Sequence, residues 1–126
     1  MGNSATLNNH TIINMTDKRC GFYGSDIMSP ASFPAQITYV DIPSDPLDEY
    51  VGLKHRRVYE VVGLPPPTEN IIYIVSNAVF VYLGDRDDIA MIGDGIRETA
   101  PNGAKYILIQ CLLMHSCDVD NLLTTC

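Results

Sequence analysis

Short apolar stretches alternate with polar, turn-forming stretches along the chain, and this pattern predicts a domain built mainly from β-strands. The apolar stretches are rich in β-branched and aromatic residues, which favour strands. Residues 70–75 (NIIYIV) are the most apolar stretch, and we expect them at the centre of a sheet. The other predicted strands are residues 10–15, 19–23, 36–42 and 57–62, the first two of them as partners in a hairpin.

The stretch after residue 75 carries the signals of a short helix. Ser76 can cap a helix because its hydroxyl accepts a hydrogen bond from a free backbone N–H, and Gly84 suits the opposite end. We therefore predict one short helix near residues 76–84. The residues in its middle, Val-Phe-Val-Tyr, favour β structure instead, so the local signals conflict here.

A strong turn signal lies near the end of the chain. Pro101-Asn102-Gly103 separates two apolar runs, and Asn and Gly tolerate the positive φ angles of tight turns. Residues 96–99 and 105–113 are therefore predicted to form a C-terminal β-hairpin.

The predicted elements together indicate an α+β, β-rich domain, with a mostly antiparallel sheet or a small barrel-like sheet and one short helix. A chain of 126 residues fits a single domain. We expect residues 1–9 to be a flexible lead, residues 10–113 to form the domain, and residues 114–126 to form a C-terminal tail.

Charge and composition limit the partners. Fifteen acidic residues against eight basic ones give a formal net charge of −7, whereas nucleic-acid binding relies on cations, so we expect no nucleic-acid partner. No apolar run approaches the roughly 20 residues that cross a bilayer, and no secretion signal is present. We therefore expect a cytosolic protein with no membrane partner. The cysteines are then expected as free thiols, since disulfides need an oxidising compartment: Cys20, Cys111, Cys117 and Cys126.

Candidate sites for catalysis and metal binding fail on their spacing. Gly93-Asp94-Gly95, with acids from Asp85 onwards, is similar to the magnesium-binding motifs of haloacid-dehalogenase phosphatases. Those motifs end separate parallel strands, which need crossover connections far longer than the spacing here. Four residues offer soft zinc ligands in a spacing that matches no common zinc motif: Cys111, His115, Cys117 and Cys126. We expect no enzyme activity, metal or cofactor.

Polar residues around the predicted helix start suggest a binding site. Strand 70–75 ends where free backbone N–H groups can meet an anion. Hydroxyl, amide and guanidinium groups there suit a small anionic or nucleotide-like ligand. The predicted ligand contacts are Ser76, Asn77 and Arg86, with Tyr73 or Tyr82 as stacking surfaces. The alternative is structural: the serine only caps the helix, and the arginine only pairs with a neighbouring acid.

Three short motifs stand out in the chain: Gly63-Leu64-Pro65-x-Pro67, Tyr73-Ile74-Val75-Ser76 and Arg86-x-Asp88. Together they resemble a family of small uncharacterised proteins found in bacteriophages and bacterial genomes. The family's Thr-Ile-x-Asn-hydrophobic-Thr element corresponds to residues 11–16, and the resemblance spans about residues 10–113. Pro66 stands where an acid is common in the family, and the cysteine-rich tail has no counterpart. The resemblance implies a viral or mobile-element setting and carries over no catalytic role.

These observations lead to one main hypothesis and two alternatives. The main one is a non-enzymatic phage accessory protein of the counter-defence type, which binds a small nucleotide-like signal or a host protein in the host cytoplasm. The first alternative is a structural virion component, a capsid or tail accessory protein that forms a homo-oligomer. The second is a metal-dependent hydrolase that uses the acids of residues 85–94.

Overall fold

The computed structural model describes residues 2–43 and 55–115, with side chains for residues 2–40 and 59–115. The described part contains eight strands and one short helix. In chain order they are β1 (Ser4–Leu7), β2 (His10–Asn14), β3 (Cys20–Phe22), β4 (Gln36–Pro43), β5 (His55–Val62), β6 (Ile71–Ile74), α1 (Asn77–Tyr82), β7 (Ile89–Thr99) and β8 (Lys105–Met114).

Six of the strands form one mixed sheet in the order β1-β2-β6-β7-β8-β3, which curves into a nearly closed barrel. The β1–β2 and β7–β8 pairs are antiparallel, while β2–β6, β6–β7 and β3–β8 are parallel. Strands β4 and β5 form a separate antiparallel ribbon. The domain is therefore β-rich and barrel-like, with a C-terminal β7–β8 hairpin, as the sequence predicts.

The apolar stretch at residues 70–75 supplies the centre of the barrel. Strand β6 lies between β2 and β7, and Ile72 and Ile74 are buried in a cluster with Ile12, Met28 and Leu112. A second cluster packs helix α1 against the other side of β6. Burying both faces of a strand explains why this stretch reads as a continuous apolar run.

A single buried amide holds the turn after β2. Asn14 is fully buried, and its Nδ2 donates to the carbonyl oxygens of Lys18 at 2.7 Å and Ser29 at 3.0 Å. Its Oδ1 accepts from the backbone N–H of Thr16 at 3.0 Å and from the Thr16 hydroxyl at 2.6 Å. Every polar hydrogen of the side chain is used, as burial of an amide requires.

The same region closes the barrel. Residues 28–35, which follow β3, run beside the end of β2, with the Ala31 N–H bonded to the Thr16 carbonyl and the Ala35 N–H bonded to the Met15 carbonyl. The Ser29 N–H then reaches the Gly2 carbonyl, just before β1, at 3.1 Å. This segment therefore links β3 and β1, the two edges of the six-stranded sheet.

Three details differ from the sequence-based predictions. Residues 4–7, expected within a flexible lead, form β1, because Ala5 and Leu7 alternate with polar residues and pack against the core. Residues 10–15 and 19–23 do not pair with each other, since β2 lies beside β6 and β3 lies beside β8. The helix is confirmed but shorter than predicted, at Asn77–Tyr82.

The cysteines differ from one another. Cys20 is a free thiol, fully buried, and burial raises its pKa to about 12. A thiol with such a pKa stays protonated at neutral pH and is a poor nucleophile. Cys111 is disulfide-bonded, so the expectation of a free thiol is wrong at that position. Cys117 and Cys126 lie outside the described residues.

Replacing Asn14 by Ala should destabilise the fold by about 3 kcal/mol, because it leaves two carbonyl groups and one N–H without their partner in a buried site. Urea unfolding of the full chain measures the change. Asn102→Ala is the matched control, since Asn102 makes one exposed bond to the Ala104 N–H. Equal losses in the two variants would show that the Asn14 network does not hold the barrel together.

Candidate functional site

Two adjoining cavities open at one end of the barrel. The helix cavity, of about 440 Å³, lies beside the start of α1 and is lined by Thr16, Asp17, Lys18, Val75, Ser76, Asn77, Ile92, Gly93, Gly95, Arg97 and Ile107. The hairpin cavity, of about 590 Å³, is lined by Asp17, Lys18, Arg19, Pro30, Arg97, Glu98, Thr99, Lys105, Tyr106 and Ile107. They share Asp17, Lys18, Arg97 and Ile107, and we call the two together the basic groove.

The hairpin cavity is an extension of the barrel interior. Ile107 pairs with the buried Cys20, and paired residues of neighbouring strands point to the same face of a sheet. Arg97 lies opposite Ile107 in the β7–β8 hairpin, and Lys105 lies opposite Thr99 two positions further along. These side chains therefore continue the core-facing side of the hairpin beyond the point where apolar residues fill it. The mouth of a small barrel is a frequent place for a ligand.

The groove reverses the charge of the rest of the chain. Four cations line it, Lys18, Arg19, Arg97 and Lys105, against two acids. The chain as a whole carries −7. Within the part of the chain that the structure describes, none of these four cations forms an ion pair. The groove therefore has a local excess of positive charge that the described residues do not neutralise.

The Asn14 network positions the cations on one wall of the groove. The Lys18 carbonyl accepts from Asn14 Nδ2, and the Lys18 N–H donates to the Thr16 hydroxyl at 3.3 Å. The next residue, Arg19, is fixed by its own carbonyl, which accepts the Ile107 N–H at 3.0 Å. The backbone that carries residues 17–19 is thus tied to both β2 and β8.

A β-bulge shapes the opposite wall. The β7–β8 register shifts between Ile92 and Asp94 and again between Asp94 and Gly95. A Cβ at Gly95 would collide with Ile107 Cγ2, so the close approach of the two strands requires glycine here. Bulges bend strands and occur often beside functional sites. The Gly-Asp-Gly sequence therefore lies in a strand irregularity.

The structure brings two of the five predicted ligand contacts to the groove. Ser76 and Asn77 line the helix cavity and are exposed. The Ser76 hydroxyl also accepts the Val79 N–H at 3.4 Å, so the serine caps α1 as the structural alternative proposes. Asn77 makes no side-chain hydrogen bond among the described residues, and it lines the same cavity as Lys18 and Arg97.

Arg86 lies elsewhere. Its Nε and one terminal nitrogen bind both carboxylate oxygens of Asp88, at 2.6 and 2.7 Å, and that terminal nitrogen also donates to the Pro65 carbonyl at 2.9 Å. The hydrogen bond with Asp88 raises the pKa of the Arg86 guanidinium above its ordinary value. Arg86 lines neither of these two cavities, so the structure does not bring it together with Ser76 and Asn77 there.

The two tyrosines also lie away from the groove. Tyr73 is 3% exposed, and its ring lies 6.0 Å from the Arg86 guanidinium carbon. Tyr82 is 48% exposed, but its hydroxyl donates to the Tyr59 carbonyl at 2.9 Å on the β4–β5 ribbon. Neither ring can stack on a ligand held in the groove. A stacking role elsewhere stays a prediction.

The cations that define the groove were not among the ligand contacts predicted from the sequence. Lys18 and Arg19 form an adjacent pair in an acidic chain, and Arg97 and Lys105 flank the predicted Pro-Asn-Gly turn. The hairpin register could have placed Arg97 and Lys105 on one face. The approach of Lys18 depends on the parallel β3–β8 pairing, which joins residues far apart in the chain.

Comparisons with known proteins add no assignment. No protein-family model matches the chain, and no curated protein or solved structure matches it. No helix in the described residues is long and apolar enough to span a membrane. Nor do those residues contain three or more His, Cys, Asp or Glu grouped so that they could hold a metal ion. The resemblance to phage proteins therefore stays an expectation.

Replacing Arg86 by Ala should lower the free energy of unfolding by about 2 kcal/mol, because it breaks a charge-assisted pair with Asp88 and frees the proline loop from β7. Thermal and urea unfolding measure the loss. Asp87→Asn, at the exposed position between the pair, is the control and should change stability by less than about 0.5 kcal/mol. A loss no greater than the control would contradict a structural role for Arg86.

Proposed function

We propose that this protein is a non-enzymatic binding protein whose ligand is a small anionic, nucleotide-like molecule held in the helix cavity. Lys18 and Arg97 supply the positive charge, and Ser76 and Asn77 supply neutral hydrogen-bonding groups. The observation that carries the proposal is the set of cations without ion pairs among the described residues, in a chain that is otherwise strongly acidic.

The chemistry of the cavity suits a ligand with a charged end and a less polar end. An arginine guanidinium matches two oxygens of a phosphate at once, whereas a lysine acts as a point charge. Ile92, which is partly buried, lines the same cavity and offers apolar surface to a base or sugar. A volume of about 440 Å³ lies within the usual range for small-molecule sites. This concave shape favours a small ligand over a host protein as the target.

The setting we propose is the host cytoplasm, where the phage-like motifs would place a counter-defence protein. A reducing cytoplasm keeps thiols reduced. Binding there must therefore not depend on the disulfide at Cys111, and Cys111 lines neither cavity. The geometry does not favour the hydrolase alternative. Asp88, one of its acids, is bound to Arg86, and the described acids do not group around a metal site.

Isothermal titration with adenosine monophosphate and with adenosine, each with and without reductant, tests the proposal. The monophosphate should bind in both conditions and adenosine at least about tenfold more weakly, because the charged contacts are lost. Arg97→Ala should weaken monophosphate binding by about tenfold for the same reason. Arg57→Ala, in β5, removes the same charge from the β4–β5 ribbon and should leave the Kd within about twofold.

Two results would overturn the proposal. One is the absence of binding to adenosine monophosphate, guanosine monophosphate and inorganic pyrophosphate at low ionic strength. The other is an equal loss of affinity in Arg97→Ala and Arg57→Ala, which would show that the net charge of the chain matters and the groove does not.

Self-assembly, the second candidate function, is favoured by a separate surface. Tyr39 and Tyr59 form a tilted ring pair with centroids 6.0 Å apart on the β4–β5 ribbon, and both are about half exposed. Val81 and Tyr82 of α1 add exposed apolar area. Exposed apolar surface of this kind is typical of protein–protein contacts. The occupant that a virion component implies is another copy of the chain.

Light scattering at increasing concentration distinguishes this candidate. If the ribbon is the contact, the protein should form an oligomer that the double variant Tyr39→Ser, Tyr59→Ser converts to monomer. Val81→Ser, on the neighbouring helix, should weaken the oligomer less, because a residue at the rim of an interface contributes less binding energy than an aromatic pair that the interface buries. A wild-type protein that is monomeric at every concentration would exclude this role.

A further inference from the structure

We infer that the ligand of the basic groove carries two separated anionic groups, the second of which Arg19 and Lys105 bind in the hairpin cavity. This inference rests on the proposed function and extends it from a charge to a ligand class, the bisphosphates. The four cations and the lining residues that the two cavities share are the observations that support it.

The cations fall into two pairs along the groove. Lys18 and Arg97 line both cavities, so they stand at the junction between them. Arg19 and Lys105 line only the hairpin cavity. Lys105 is the diagonal neighbour of Arg97 across the hairpin, because Arg97 pairs with Ile107. Such diagonal positions are separated by roughly 7–8 Å, which leaves room along the groove for a second anionic group.

The acids in the groove do not remove the need for a second anion. Asp17 and Glu98 are the acidic residues that line the hairpin cavity, against four cations. Glu98 pairs with Tyr106 in the hairpin register, and both line this cavity with the cations. The cations therefore outnumber the acids of the cavity by four to two.

The position of the four cations is informative because the chain has enough acidic residues to pair with them. Cations close together repel each other unless an anion or a medium of high dielectric constant lies between them. A chain with 15 acids could surround these four with carboxylates, yet among the described residues none of the four has an ion-pair partner. A ligand with phosphate groups at two positions would neutralise both pairs, whereas a monophosphate would neutralise one.

Three nucleotides that share one base separate this inference from a simple charge effect. Adenosine monophosphate has one phosphate group, adenosine diphosphate has two adjacent ones, and adenosine 3′,5′-bisphosphate has two on opposite sides of the ribose. Titration calorimetry on the full chain should show the bisphosphate binding at least about tenfold more tightly than the monophosphate. The diphosphate should gain less than the bisphosphate, since its second phosphate cannot reach the second pair.

Variants of the second pair supply the decisive comparison. Arg19→Gln with Lys105→Gln should bring the bisphosphate Kd to that of the monophosphate and leave the monophosphate Kd within about threefold. The double variant Arg56→Gln, Arg57→Gln is the charge-matched control in β5 and should preserve the bisphosphate preference. Because Arg19 lies beside β3, Lys105→Gln alone, at the exposed start of β8, is a second variant that spares that strand and should lose part of the preference.

The outcomes are distinguishable from failure of the proposed function. If no adenine nucleotide binds, the proposed function fails and this inference fails with it. If the monophosphate binds and the bisphosphate binds no better, the proposed function stands and the second anion site is overturned. Equal gains for the diphosphate and the bisphosphate would also overturn it, because total charge would then explain the affinity.

Discussion

The amide of Asn14 is the constraint on which both the barrel and the groove depend. It binds the Lys18 and Ser29 carbonyls on one side and Thr16 on the other, in a site closed to water. Through Ser29 it holds the segment that links β3 to the start of β1. Through Lys18 it fixes the backbone that carries one wall of the groove. A buried amide with all its hydrogen bonds made permits one arrangement of these segments, so fold and site are set by the same contact.

The location of the groove follows from how the barrel is filled. Apolar residues of β3, β6 and β8 occupy its interior, but Arg97, Thr99 and Lys105 occupy the core-facing side of the hairpin near its turn. A charged side chain cannot be buried without a partner, so the barrel must stay open at this end. The cations at the open end can therefore contact only solvent or an anion. The site is thus a consequence of where the apolar pattern of the hairpin stops.

Local elements of this fold could be predicted from the sequence, and long-range pairings could not. The Pro-Asn-Gly turn, the Ser76 cap and the apolar strand at residues 70–75 all depend on neighbours within a few positions. Strand β1 was missed because four residues of weak alternation, Ser-Ala-Thr-Leu, resemble a polar lead. The hydrogen bond of Arg86 to the Pro65 carbonyl could not be predicted, because the two residues lie 21 positions apart. The groove was missed for the same reason, since the β3–β8 pairing brings Arg19 to Ile107.

Several residues of the motifs that carry the resemblance hold the fold together, while Thr16, Val75 and Ser76 of these motifs line the helix cavity. Asn14 and Thr16 hold the turn, Arg86 and Asp88 hold the proline loop, and Gly63 has a φ of 85° at a place where a Cβ would contact the Pro34 carbonyl at 2.9 Å. Each of these residues has a structural role. Three of the groove cations, Lys18, Arg19 and Lys105, stand outside every motif that carries the resemblance. The charge of the groove is therefore set by residues other than those that hold the turn and the proline loop.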